Sequence, residues 1–119
     1  MNHEALYNKY KSVIQHKEQR LEQLQQKHGE LLTAINAVKE FNAVDEERSA
    51  LVPLVEGVFV QARVDPDQPY KINAGDGVVV DKEGTDVVSL LEERVSNIES
   101  AIEETHSSLL EVYREVEAL

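Results

Sequence analysis

One short stretch of the sequence, Gly75-Asp76-Gly77, has residue types that could hold a phosphate. It lacks the longer glycine-rich loop, the Lys followed by Ser or Thr, and the helix start that cradle phosphates in known sites. An Asp-Gly pair between two apolar segments is instead typical of a tight β-hairpin. We therefore interpret Gly75 and Gly77 as turn glycines.

The histidines do not have the spacing of metal ligands. His3, His16, His28 and His106 form neither a His-X₃-His pair nor a His-Glu-X-X-His motif, and the chain has no Cys. Zinc sites in proteins are built from such spacings. The sequence therefore predicts no metal site.

The acidic pairs do not have the arrangement of a catalytic dyad. Glu92-Glu93 and Glu103-Glu104 are adjacent in sequence, so on a helix their side chains point in different directions. General acid–base catalysis needs groups that converge on one substrate. We therefore expect a protein that is not an enzyme and that needs no cofactor.

The composition indicates one small, acidic domain. The chain has 119 residues and a net charge of −11, which disfavours binding to nucleic acid. Its first residues do not resemble a secretory signal, and it contains no apolar run long enough for a membrane span. We expect a cytoplasmic protein that binds neither nucleic acid nor membranes.

The segment 1–44 has the pattern of a coiled-coil helix. Apolar residues recur every three or four positions, and the positions between them are mostly Gln, Glu, Lys and Arg. Lys17 and His28 are the two polar residues on this seam, and we interpret them as packed or register-setting. The complete seam is Tyr7, Tyr10, Ile14, Lys17, Leu21, Leu24, His28, Leu31, Ile35 and Val38.

The segment 85–119 has the same pattern. Gly84 precedes it, and Thr85 or Asp86 is the expected N-cap. It carries a net charge of −7, whereas residues 1–44 carry +1, so the two segments are suited to pair with each other. Its seam is Val88, Leu91, Val95, Ile98, Ile102, Thr105, Leu109, Val112, Val116 and Leu119.

The two seams match in an antiparallel pair. Residues whose numbers add up to 126, such as Leu31 with Val95, then face each other in ten consecutive layers. A register shifted by seven residues also satisfies the periodicity. In either register, both chain ends lie at one end of the helix pair, which we call the tip.

The central segment 49–83 has the pattern of about four short strands in two hairpins. Four strands leave unpaired edges, which proteins normally cover or pair. We therefore expect this block to oligomerise into a β-barrel hub from which the helices project as arms. The assembly residues are Leu51, Val52, Leu54, Val58, Phe59, Val60, Val64, Ile72, Val78, Val79 and Val80.

The whole chain resembles the prefoldin subunits of the α class. The matching features are Leu-Val-Pro-Leu at Leu51–Leu54, the Gly-X-Gly turn at Gly75–Gly77 and the apolar strand with a charged end at Val78–Lys82. The order of coil, four strands and coil is also that of the family. The resemblance implies an α+β fold, in which residues 1–119 form a single domain of coiled coil, β-hairpin region and coiled coil.

The resemblance further implies an ATP-independent chaperone. Such a protein is a hetero-hexamer of two α-class and four β-class subunits. It captures unfolded clients, typically actin and tubulin in eukaryotes, between the tips of its coils and delivers them to a group II chaperonin.

Apolar residues near the tip are the candidates for client binding, because seam residues that lack a complete partner shell would offer exposed apolar surface there. Val13, Leu110 and Tyr113 lie outside the seam and are the more telling ones. The candidates are Leu6, Tyr7, Tyr10, Val13, Ile14, Leu109, Leu110, Val112, Tyr113, Val116 and Leu119.

Two other functions remain open on the sequence alone. One is a structural adaptor that assembles through the same strands without holding clients. The other is a homo-oligomeric coiled-coil protein whose strands pair only with copies of themselves.

Overall fold

The computed structural model describes residues 3–119. Two long helices flank four strands, in the order α1 (His3–Asn42), β1 (Arg48–Val55), β2 (Val58–Val64), β3 (Tyr70–Gly75), β4 (Val78–Lys82) and α2 (Gly84–Glu117). The predicted α+β fold, with two helices around two hairpins, is confirmed. Residues 1 and 2 of the predicted first segment lie outside the described residues.

The second helix begins earlier than expected. Gly84 is its first residue, and the amide of Val87 donates a 3.0 Å hydrogen bond to the carbonyl of Glu83. Because the carbonyl of the N-cap accepts the first intrahelical bond, Glu83 holds the cap position. The prediction of Thr85 or Asp86 as N-cap is wrong. Asp86 lies within the first turn, where its negative charge interacts favourably with the positive end of the helix dipole.

The chain divides into two compact units. The first comprises the α1 residues up to Thr33 and the α2 residues from Glu92 onward. The most buried side chains of this unit are seam residues of both helices: Leu31, Val95, Thr105, Leu109 and Val112.

One cross-helix contact in this unit distinguishes between the possible registers. Nε2 of His28 lies 3.1 Å from Oε1 of Glu99, and Glu99 is adjacent to Ile98, the partner that the 126 register assigns to His28. A shift by seven residues would move Glu99 about 10 Å along the helix. The contact therefore favours the unshifted register.

The second unit, Ala34–Leu91, contains both hairpins and the adjoining helix ends. Strands β1 and β2 pair antiparallel, as do β3 and β4, in two separate two-stranded sheets. In the second hairpin, Asp76 and Gly77 have φ values of 51° and 77°. A type I′ turn requires a positive φ at both central residues, and Gly75 pairs with Val78 on either side of them. The interpretation of this stretch as a tight hairpin turn is therefore confirmed.

Candidate functional site

Two apolar surfaces are candidates for function: the tip residues of the first unit and the hairpins of the second. Tyr7, Leu110, Tyr113 and Leu119 are the accessible tip candidates, with 55%, 43%, 37% and 42% of their surface exposed. Leu109 and Val112 are instead buried in the helix seam, so in this conformation they support the tip without presenting surface. The half-buried candidates are Leu6, Tyr10, Val13, Ile14 and Val116.

A groove of about 350 Å³ runs between the two helices at the tip. It brings together five of the eleven predicted residues. The six outside its lining are Leu6, Val13, Leu109, Leu110, Val112 and Leu119. Lys11 and Gln15 also line it and were missed, because their polar side chains carry no signal in an apolar pattern. The complete lining is Tyr7, Tyr10, Lys11, Ile14, Gln15, Tyr113 and Val116.

Two glutamates accompany the tyrosines of this groove. The Tyr113 hydroxyl donates a 2.7 Å hydrogen bond to Oε1 of Glu18. This bond raises the pKa of Tyr113 above its usual value, with smaller contributions from burial and from the charge of Glu18. Burial raises the pKa of Tyr10, and the neighbouring Glu115 carboxylate raises it further. The groove thus has an apolar lining of aromatic rings with carboxylates beside the hydroxyls.

The first hairpin has apolar side chains on both faces near its turn. Residues paired across an antiparallel ladder share a face, as do residues two positions apart along a strand. Pro53 pairs with Phe59, two positions along from the Leu51–Gln61 pair. Leu51 and Phe59 therefore lie on one face, and they are 71% and 57% exposed. The opposite face carries the Val52–Val60 pair, of which both members are 40% exposed.

The second hairpin has one apolar and one largely polar face. Ile72 pairs with Val80 on the first face. On the other face, Nζ of Lys71 lies 2.6 Å from Oδ1 of Asp81. Val79 is the apolar exception on that face, at 59% exposure.

The hairpin residues predicted for assembly are therefore accessible for the most part. Val64 and Ile72 are half-buried. Val55, 66% exposed at the end of β1, was missed by the sequence analysis, although it continues the apolar run. The predicted residues exposed by a third or more are Leu51, Val52, Leu54, Val58, Phe59, Val60, Val78, Val79 and Val80.

Polar side chains are the remaining candidates for chemistry within residues 3–119. No group of three or more His, Asp or Glu side chains in this part of the chain could hold a metal ion. Glu103 and Glu104 line an open groove on α2 beside Ser100 and Glu111. Over the same described range, neither helix is long and apolar enough to cross a bilayer.

The sequence matches the family model described as Prefoldin subunit over residues 10–119. It is 34% identical over 76 residues to a prefoldin subunit alpha of Nitrosopumilus maritimus, covering 64% of this chain and 52% of that subunit. The match therefore spans about half the length of this relative. A prefoldin subunit alpha of Archaeoglobus fulgidus is 26% identical over 102 residues, covering 86% of this chain and 74% of that protein.

The fold also has a solved counterpart. A chain from the cryo-EM structure of filamentous PFD of Methanocaldococcus jannaschii superimposes with a TM-score of 0.83. The alignment covers 97% of this chain and 95% of that chain at 15% sequence identity. At this identity, the similarity is one of fold.

Proposed function

Because the chain belongs to the prefoldin subunit family, we propose that it is an α-class subunit of an ATP-independent holdase. In this role the tip captures apolar segments of unfolded proteins, and the assembled complex delivers them to a group II chaperonin. The observation that carries this proposal is the cluster of exposed apolar side chains and the adjoining groove at the tip.

The chemistry of the tip supports reversible capture of varied segments. The groove is lined mainly by tyrosine rings and aliphatic side chains, which bind apolar groups through the non-directional hydrophobic effect. Tyrosine hydroxyls and the flanking polar residues keep the surface compatible with water when no client is bound.

Holdase activity is tested by diluting a chemically denatured protein into the complex reconstituted with β-class prefoldin subunits and recording light scattering. The double variant Tyr7→Gln/Leu110→Gln removes two exposed apolar side chains of the tip. We expect the wild-type complex to suppress aggregation and this variant to suppress it less.

Leu32→Gln is the matched control for this experiment. Leu32 is 44% exposed, almost the same as Leu110, but lies towards the other end of α1. We expect Leu32→Gln to suppress aggregation like the wild type. Equal activity of the tip variant would contradict client binding at the tip, and a wild-type complex that assembles without suppressing aggregation would favour the adaptor function.

Delivery to the chaperonin is tested in the same system. A labelled client is first bound to the complex, and a group II chaperonin is then added without ATP. We expect the label to move to the chaperonin fraction in gel filtration, and retention on the complex would contradict delivery.

The hairpins are the proposed contact with partner subunits, in a hexamer of two α-class and four β-class chains. Their strands have free edges and large exposed apolar side chains, which a neighbouring strand would pair and cover. The solution mass of the chain, measured alone and after mixing with a β-class subunit, tests this assembly. We expect a discrete complex of about six chains, the stoichiometry that the family resemblance implies, held by apolar burial.

Leu51→Ser/Phe59→Ser removes the two bulky side chains from one face of the first hairpin, and we expect it to weaken this complex. Asn73→Asp, on the largely polar face of the second hairpin, is the control that should assemble normally. It keeps the side-chain oxygen that accepts a hydrogen bond from the Gly75 amide. Self-assembly that ignores the β-class subunit would contradict the hetero-hexamer.

A further inference from the structure

The side chain of Asn42 packs directly against Gly84. Asn42 is the last residue of α1 and Gly84 the first of α2. A Cβ atom added at Gly84 would overlap Oδ1 of Asn42 and lie 2.7 Å from its Cγ and 2.9 Å from its Nδ2. Glycine is therefore the residue that fits opposite Asn42 without displacing its side chain.

The Asn42 side chain is also held from the first strand of the second hairpin. The Tyr70 hydroxyl donates a 2.7 Å hydrogen bond to Oδ1 of Asn42. The Tyr70 ring meets Phe41 edge to face, with ring centroids 5.7 Å apart. Because Tyr70 is anchored by its ring, Asn42 cannot turn away from Gly84 without losing this hydrogen bond.

Asn42 and Gly84 also continue the seam of the helix pair. Asn42 lies seven residues after Ile35, at the next equivalent heptad position, and its number and that of Gly84 add up to 126. The pair is thus one further layer of the unshifted register. In a register shifted by seven residues, Asn42 would face either Leu91, which carries a bulky side chain, or Gly77, which lies in the β3–β4 turn.

We propose that Asn42 and Gly84, held by Tyr70, fix the register of the antiparallel helix pair. The periodic apolar seam tolerates a shift by seven residues, whereas this layer is compatible with only one register. A polar Asn at a seam position can set the register in coiled coils. Here the Asn42 side chain is exposed, and its fit against Gly84 together with the hydrogen bond from Tyr70 distinguishes this alignment from the shifted ones. Asn42 is in this sense a positioning residue, since the register decides which residues of the two helices face each other.

Engineered disulfides can measure the register directly, because the chain has no native Cys. Leu21→Cys/Thr105→Cys reports the unshifted register, and Leu21→Cys/Val112→Cys and Leu21→Cys/Ile98→Cys report the two shifted ones. A shift of seven residues moves a helix by about 10 Å, which exceeds the reach of a disulfide. The 119-residue chain is equilibrated in a thiol–disulfide buffer, and the cross-linked fraction of each reporter is compared.

We expect Asn42→Ala to raise the cross-linked fraction of a shifted reporter about two- to tenfold, the range that corresponds to one lost hydrogen bond. Gly84→Ala, on α2, should also raise the cross-linked fraction of a shifted reporter, because the added methyl group displaces the Asn42 side chain. Asn36→Ala and Gly29→Ala make the same changes at exposed positions of α1 and should leave all reporters unchanged.

An increase in a shifted reporter with Asn42→Ala or Gly84→Ala, absent from the controls, supports the proposal. Shifted reporters that stay at the wild-type level in both variants overturn it. Neither outcome depends on client binding or on partner subunits, so the test is independent of the proposed function.

Discussion

The hydroxyl of Tyr113 donates a 2.7 Å hydrogen bond to the carboxylate of Glu18, 95 residues away in the sequence. It joins α2 to α1 in the first unit. A phenol that donates to a carboxylate favours its protonated form, because ionisation would place two negative charges side by side. The bond therefore links the stability of the helix pair to pH in the alkaline range.

The pH dependence of stability should carry a contribution from this bond. The pKa of Tyr113 is raised in the folded state, so the folded protein holds this proton more tightly than the unfolded chain. The stabilisation is complete below the ordinary tyrosine pKa of about 10 and is lost as pH rises through the higher folded-state pKa. We expect the Tm to fall over this range.

Tyr113→Phe should reduce this alkaline fall in Tm without removing it, since Tyr10 and Tyr70 also have raised pKa values. Thermal unfolding followed by circular dichroism from pH 8 to 11 measures the effect. Tyr7→Phe leaves the Tyr113–Glu18 bond in place and is the control. Parallel pH profiles for Tyr113→Phe and the wild type would show that the bond is absent in solution.

Two adjacent leucines near the tip should differ sharply in their contribution to stability. Leu109 is 6% exposed and Leu110 is 43% exposed. We expect Leu109→Ala to lower the free energy of unfolding by about 2–5 kcal/mol, because it leaves a cavity in the seam. Leu110→Ala should change it by less than about 0.5 kcal/mol. Urea unfolding of both variants checks this, and similar losses would mean that the seam does not run through Leu109.

Gly29→Ala should stabilise the protein. Gly29 lies within α1, and an added Cβ atom would meet nothing within 4 Å. Alanine loses less backbone entropy than glycine on helix formation, so we expect a gain of up to about 1 kcal/mol in the free energy of unfolding. The hydrogen bond from Thr33 Oγ1 to the Gly29 carbonyl uses the backbone and is retained. A loss of stability in urea unfolding would indicate an unrecognised close contact at this position.

The turn of the second hairpin should depend on Gly77 more than on Asp76. Gly77 has a φ of 77°, where a side chain costs about 1–2 kcal/mol. We expect Gly77→Ala to speed amide hydrogen exchange in β3 and β4. Asp76→Asn should leave exchange unchanged, because Asn tolerates positive φ as Asp does. Equal exchange in both variants would contradict the type I′ turn.

Much of the fold could be predicted from local pattern. Seam residues such as Leu31 and Val95 recur with the period of a helix, and Val58, Val60 and Val64 alternate with the period of a strand. The Asp-Gly pair indicated the hairpin turn because few other residues adopt its backbone angles. Periodicity and turn chemistry act over a few residues, so the sequence by itself determined the elements and their order.

Other features were decided by the tertiary structure, because they depend on which distant residues meet. A seven-residue repeat is indifferent to a seven-residue shift, and the contacts of His28 with Glu99 and of Asn42 with Gly84 select one alignment. The same packing buries Leu109 and leaves Leu110 exposed, which separates supporting from accessible residues at the tip. Local pattern states which side chains are apolar, whereas only the packed helices decide which of them reach the solvent.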